Sequence, residues 1–334
     1  MHFQDIQNAL VAGGVVFLVS IAAFALIDPM AYFSPTFEAK GRSFFLGGAS
    51  QGLGLSLAKL LVRRGASHVA IVSRNPVNVQ AALLELEKAR IDSSQKITGH
   101  SYDLTKPGAA ASAFDEAFAD SCPDVVVSVT GSADGILGYF HKLTHKTFQD
   151  SWDINYIAHL YTSHEAVRRM IQHKRKGKIV FVASLLAYFG LVGYSAYTPA
   201  KFAVRGLAES LKSELSMFGI DVHCHFPATI YTPGYERESR SKPELTKILE
   251  GTDGGETPDV LAVRLLHGIE RGNFHITTDL LGHIFRSSHR GVVPIQSPID
   301  YLYCLIGDIG LPIWRWSTNH QVTKYITTNP QEVL

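Results

Sequence analysis

From residue 42 onward the chain alternates short, almost wholly apolar runs with longer stretches of helical periodicity. "RSFFLGG", "HVAIVSR", "KITGHSYDL", "DVVVSVTG", "GKIVFVAS", "IDVHCHFPA" and "FHITTD" read as strands. "GLGLSLAKLLVRRG", "VNVQAALLELEKAR", "GAAASAFDEAFAD", residues 147–174, residues 195–218 and "PDVLAVRLLHGIERG" read as the helices between them. Strands without a polar face need cover on both sides, and parallel strands need a crossover to return. The pattern predicts one α/β domain over residues 41–280, a doubly wound parallel sheet of seven strands.

Three segments fall outside the alternation. Residues 9–27, "ALVAGGVVFLVSIAAFALI", hold no charge. As a helix they would span roughly 28 Å, close to the ~30 Å core of a bilayer. No basic stretch precedes them, so a cleaved signal peptide is disfavoured, and only Ser20 interrupts the apolar surface. A transmembrane helix is therefore predicted within an anchor and linker over residues 1–40. Lys40, Arg42, Arg63 and Arg64 follow it, which puts the bulk of the chain in the cytosol. Residues 233–257 are polar and punctuated by Gly and Pro; they predict a mobile lid. The tail, residues 281–334, contains the apolar run 291–316, broken by Asp300, Asp308 and three prolines. It is too interrupted for a spanning helix. Either it lies at the membrane interface with Trp314 and Trp316 at headgroup level, or it packs on the core.

A net charge of +1 excludes a nucleic-acid binder that works by basic excess. The cysteines, Cys122, Cys224 and Cys304, are far apart and match no metal spacing. "HCH" at 223–225 puts two rings on one sheet face without further ligands, so no metal is expected. The basic run at 168–178 ends a helix, where cations are favoured, and a lipid contact is the alternative.

Directly after the first strand comes "GGASQGLG", residues 47–54. Glycines between a strand and a helix let backbone N–H groups approach a pyrophosphate, and the helix N-terminus favours its charge. This context makes the sheet Rossmann-type, with Gly48, Ser50, Gln51, Gly52, Leu53 and Gly54 facing a dinucleotide. The second strand ends in "SRN", with Arg74 and Asn75 where an acid would hold the ribose of NAD. A guanidinium suits a 2′-phosphate, so NADPH is favoured. Asp103 and Leu104 close the third strand, where an acid can meet the adenine amino group.

Downstream, Asn155, Ser184, Tyr197 and Lys201 follow in order, with Tyr197 and Lys201 four apart. That spacing places both on one helix face, where an ammonium favours the phenolate. Together with the glycine turn, this order resembles the short-chain dehydrogenase/reductase family over about residues 42–280. The resemblance implies a ketone reductase. Tyr197 would donate the proton, Lys201 would lower its pKa, Ser184 would polarise the carbonyl, and Asn155 would sit in a proton relay. Thr232 would reach the carboxamide end of the cofactor. It also implies a homodimer or homotetramer, commonly formed through the helices holding Asn155 and Tyr197. The sequence departs from the family pattern at Gly47, usually Thr, at Ser128-Val129-Thr130-Gly131, usually Asn-Asn-Ala-Gly, and at Pro227-Ala228, usually Pro-Gly.

"VFVASLLAYFGLVGYSAYTPAKFAVRGLAESLKSEL" and "GGASQGLG" are most similar to one branch, the 3-ketodihydrosphingosine reductases. That likeness implies a long-chain sphingoid ketone as substrate, membrane lipids as partners, and work on the cytosolic face of the endoplasmic reticulum membrane. Glu236, Glu238 and Glu244 can then steer the substrate's ammonium, or simply stand on a solvated loop. A steroid or retinoid ketone, or a scaffold that binds the cofactor without catalysis, are the readings that compete.

Overall fold

Each apolar run becomes a strand because its side chains alternate between two packed faces. A computed structural model describes residues 37–251 and 254–333 of the chain. In chain order the core elements are β1 (Ser43–Gly47), α1 (Gly52–Arg63), β2 (His68–Ser73), α2 (Pro76–Ala89), β3 (Lys96–Ser101), α3 (Ala109–Phe118) and β4 (Val125–Ser128). There follow α4 (His145–Trp152), α5 (Ala158–Gln172), β5 (Lys178–Val182), α6 (Tyr197–Glu214) and β6 (Asp221–His225). Next come α7 (Pro233–Ser241), α8 (Glu244–Glu250), α9 (Pro258–Glu270) and β7 (His275–Ile276), and last α10 (Leu280–Ser288), α11 (Asp300–Thr328) and α12 (Pro330–Val333).

The seven strands form one sheet in the order β3-β2-β1-β4-β5-β6-β7, every neighbour parallel. Phe45 points to one face and stacks on Phe114 of α3 at 3.9 Å between ring centroids. Phe44 and Leu46 point to the other, among Leu57 and Leu61 of α1 and Leu265 of α9. Both faces are dry, as the unbroken apolar runs require. The chain leaves the sheet centre from β1 toward β3, then returns to start β4 beside β1. The crevice at that reversal is where open α/β sheets take ligands.

Three expectations change. The helix expected over 147–174 is interrupted: a wide π-helical turn, Asp153–Ile157, with hydrogen bonds reaching five residues along the chain, separates α4 from α5. The lid expected as a loop is two short helices, α7 and α8. Thr232 caps α7, its hydroxyl accepting from Tyr235 N at 3.1 Å, and Pro233 opens it. The tail is a 29-residue helix, α11, which contains Pro312 instead of stopping at it. Loss of one backbone hydrogen bond there is offset by docking on α10.

That docking centres on a buried ion pair. Arg286 donates from Nη1 and Nη2 to the two Asp300 carboxylate oxygens at 2.8 and 2.6 Å. Gln296 N and Ser297 N also donate to Asp300, at 3.0 and 3.3 Å. Nearby the two helices meet closely, since a Cβ on Gly307 would fall on the Ser288 hydroxyl. The opposite face of α11 carries Leu302, Ile306, Ile309, Ile313 and Trp316, all exposed and spaced three and four apart. Among the described residues no helix is long and apolar enough to cross a membrane. The anchor expected at residues 9–27 lies outside the described residues.

Burial alone would raise the Asp300 carboxyl; Arg286 and the two N–H groups outweigh it and hold the group below its usual range. Its contribution is therefore present above the unfolded carboxyl value of ~3.9 and fades as pH falls through the lower folded value. Asp300→Ala leaves the Arg286 guanidinium buried and unpaired, and should weaken α11 docking by about 3–5 kcal/mol. Amide hydrogen exchange should show residues 300–328 opening far earlier than in the parent, with strands β1–β5 unchanged.

Candidate active site

The glycine turn after β1 is forced by crowding. A Cβ on Gly48, at φ +85°, would lie 2.8 Å from the Thr130 backbone, and one on Gly54 would lie 2.7 Å from Ala49 Cα. The cap residue Gln51 makes no side-chain hydrogen bond to α1, so the first N–H groups of that helix stay available to an anion. Ser50 donates to the Ser73 hydroxyl at 2.8 Å, tying the turn to the end of β2. Leu53 has its side chain in the core, so only its backbone can serve a dinucleotide. Thr232 approaches from the far side, its Cγ2 3.0 Å from where a Gly52 Cβ would stand.

The other predicted cofactor residues follow strand ends. Arg74 is exposed, and no ion pair among the described residues occupies its guanidinium. Asn75 is partly committed: its amide oxygen caps α2, accepting from Val77 N and Asn78 N at 2.9 and 3.3 Å. Asp103 folds its own turn, accepting from Thr105 N and Oγ1 at 3.1 and 2.7 Å. Leu104 lies over Gly47, where a Cβ would come within 2.9 Å of its Cδ1. A threonine there would have to displace that leucine methyl. These features fit a dinucleotide: a close-approach glycine turn and, among the described residues, N–H donors without a side-chain cap and a guanidinium without an ion pair.

The four catalytic candidates converge at the C-terminal ends of β4 and β5. Asn155 lies in the wide turn between α4 and α5, fully buried. Its Oδ1 accepts from Ser132 N at 3.0 Å and its Nδ2 donates to Ser132 O at 2.9 Å, clamping the loop after β4. A Cβ on Gly131 would stand 2.8 Å from Lys201 Nζ and 2.9 Å from Asn155 Oδ1, so that loop, the lysine and the asparagine are in contact range. Tyr197 starts α6 and Lys201 follows one turn later. Pro199 falls in the first turn, where no N–H is missed. Ser128 and Thr130, the departures after β4, bury hydroxyls without partners among the described residues.

Lys201 is 2% exposed and its ammonium meets no carboxylate among the described residues; Nζ donates to Val182 O at 3.3 Å. Burial lowers its pKa from the usual 10.5 to about 8. Nζ stands 5.5 Å from the Tyr197 ring centroid. The lowering expected from Lys201 is not seen at the phenol: burial pushes Tyr197 well up, the Glu238 carboxylate adds to the rise, and a hydrogen bond from Ser184 opposes it. A proton is thus held firmly on Tyr197, ready for a stronger base such as an alkoxide.

The sequence named Glu238 but missed the charged group it joins behind Tyr197. Of Glu236, Glu238 and Glu244, only Glu238 reaches the site; Glu236 and Glu244 are exposed, with Glu244 paired to Lys247. Glu250, Lys242 and Tyr194 complete the group with Glu238. Tyr194, three residues before Tyr197, was the available signal. The rings of His223 and His225 instead hold the sheet edge, their Nδ1 atoms bonded to Asn273 O and Ile276 O at 2.7 and 3.0 Å.

Comparison with known proteins matches residues 44–243 to the short chain dehydrogenase family model. A 3-ketodihydrosphingosine reductase of Cryptococcus neoformans is 38% identical over 293 residues, covering 86% of each chain. The Bos taurus 3-ketodihydrosphingosine reductase is 29% identical over 288 residues, covering 85% of this chain and 86% of its own. A short-chain dehydrogenase from Sphingobium yanoikuyae, solved in complex with NADPH, superposes with a TM-score of 0.61 at 24% identity, over 71% of this chain and 87% of its own. At that identity the likeness speaks for the fold.

The unfolded chain keeps the Lys201 proton to 10.5, the folded protein only to about 8. The cost is complete below about 8 and is relieved as pH rises from there to 10.5. Lys201→Met should therefore be more stable than the parent at neutral pH, by on the order of 3 kcal/mol. Urea unfolding across that pH range should show the advantage shrinking.

Proposed function

The chain belongs to the short-chain dehydrogenase family, and on that premise we propose that it reduces the C3 ketone of 3-ketodihydrosphingosine to dihydrosphingosine with NADPH. One observation carries the reading. Ser184 and Lys201 converge on a protonated Tyr197 beside a dinucleotide turn. The chain around them is alike over most of its length to reductases of that name.

NADPH, when bound, supplies the hydride that C3 receives. The protein's own groups handle everything else. The Ser184 hydroxyl donates to the ketone oxygen and stabilises the charge that develops there. Tyr197 passes its Oη proton to the same oxygen as the alcohol forms. Lys201 steadies the phenolate left behind, and the Asn155 turn holds the relay through which the proton is replaced. Arg74, exposed and unpaired, is the residue to hold a 2′-phosphate, which supports NADPH over NADH.

The reading extends to location and assembly. The uncharged run at residues 9–27 and the exposed apolar stripe of α11 support attachment to the endoplasmic reticulum membrane, with the catalytic domain in the cytosol. Exposed Trp152, Ile171 and Phe202 on α4, α5 and α6 support pairing of two copies through those helices.

The test is loss of NADPH absorbance by detergent-solubilised protein given 3-ketodihydrosphingosine, with NADH and a steroid ketone as controls. Turnover specific to NADPH and the sphingoid ketone is expected. Turnover on the steroid alone would overturn the substrate assignment. Tyr197→Phe should lower kcat by about 10³-fold or more while NADPH still binds, read by fluorescence.

A further inference from the structure

The group behind Tyr197 is unusual in charge and in its hydrogen bonding. Lys242, 5% exposed as a residue, donates to Glu250 Oε2 at 2.7 Å and pairs with Glu238 Oε1 at 3.1 Å. The Tyr194 hydroxyl faces both carboxylates, 2.8 Å from Glu238 Oε1 and 2.6 Å from Glu250 Oε1. One hydroxyl carries one proton, so it satisfies only one of those oxygens at a time. Glu238 Oε2 accepts nothing among the described residues. Two carboxylates face one ammonium, which among the described residues leaves one negative charge without a counter-ion.

Its position matters as much as its charge. The Tyr194 ring meets the Tyr197 ring edge-on at 5.8 Å between centroids. The field of Glu238 reaches the Tyr197 phenol. Tyr194 also belongs to an apolar wall with Ala133, Ile136 and Leu137, against which Leu186, Leu191 and Tyr197 pack. Thr246 of α8 fixes the arrangement by donating to Val192 O at 2.9 Å. An anionic corner, an apolar wall and the proton donor therefore adjoin one another.

We propose that Glu238 and Glu250 bind the ammonium of an amino ketone, with Lys242 holding the same pair of carboxylates together before substrate arrives. The inference rests on the sphingoid-ketone reading. In that substrate the amine sits on the carbon next to the carbonyl, so an oxygen placed against Tyr197 brings the ammonium toward this corner. The alkyl chain then has the apolar wall to follow. A bound ammonium supplies the missing positive charge. It also lessens the hold that Glu238 has on the Tyr197 proton, so the right substrate assists its own protonation. Glu238 and Glu250 act as specificity residues in this scheme, and Tyr194 orients them.

The test compares kcat/KM for 3-ketodihydrosphingosine and for the same hydroxy ketone with hydrogen in place of the amine. The parent should prefer the amino ketone by about ten- to a hundredfold, the range of a charged hydrogen bond. In Glu238→Gln and Glu250→Gln that ratio should fall toward one. Equal losses on both ketones would mean the group only clamps the lid, and would overturn the proposal. So would a parent enzyme that reduces both ketones equally, a result that does not depend on any variant folding. A parent that binds NADPH yet reduces neither ketone would instead remove the sphingoid reading on which the inference stands.

Discussion

A parallel strand cannot be joined to its neighbour by a tight turn. Each must be returned across a face of the sheet by a crossover. Once helices cover both faces, the strand ends remain open, and at the C-terminal ends the crossovers place helix N-termini and a crevice for ligands. The candidate cofactor positions of this chain, and Ser184, follow from that constraint. The glycine turn succeeds β1, Arg74 succeeds β2, Asp103 succeeds β3, the Gly131 loop succeeds β4, Ser184 succeeds β5 and Thr232 lies beyond β6. Residues up to 184 positions apart in sequence, Gly48 and Thr232, thereby share one crevice (232 − 48).

The sheet and the meeting of the four candidate residues were legible because their causes are local. A strand buried on both faces is an apolar run, and a backbone that must touch another backbone is a glycine. What was hidden had causes at long range. Periodicity could not reveal the extra residue in the turn at Asp153–Ile157, because the residues on either side are equally helical. Asp300 read as an interruption of the tail. In the fold it is the tail's anchor, because Arg286 stands ready for it. The charges of residues 236–250 alternate in sign and so read as a solvated loop. Three-dimensional pairing separates Glu238, Lys242 and Glu250, which are enclosed, from Glu236 and Glu244, which face solvent.

The site is also where the structure is least comfortable. Among the described residues, a dry ammonium without a carboxylate and hydroxyls without partners at Ser128 and Thr130 oppose folding. The two hydrophobic layers on either side of the sheet must compensate for them. Such a balance is common where a protein keeps polar groups ready for a ligand.

The wide turn that carries Asn155 sets a rule for the chain's history. A single π-helical turn inside an α-helix amounts to one inserted residue. Deleting that residue would make the helix more regular. It would also rotate everything on one side of the cut by about 100° relative to the other, and α4 would lose its face against α6. A descendant of this chain can lengthen or shorten its surface loops freely, but between residues 145 and 172 its length is not free to drift. Among related sequences, gaps should gather on either side of this helical run and leave it whole.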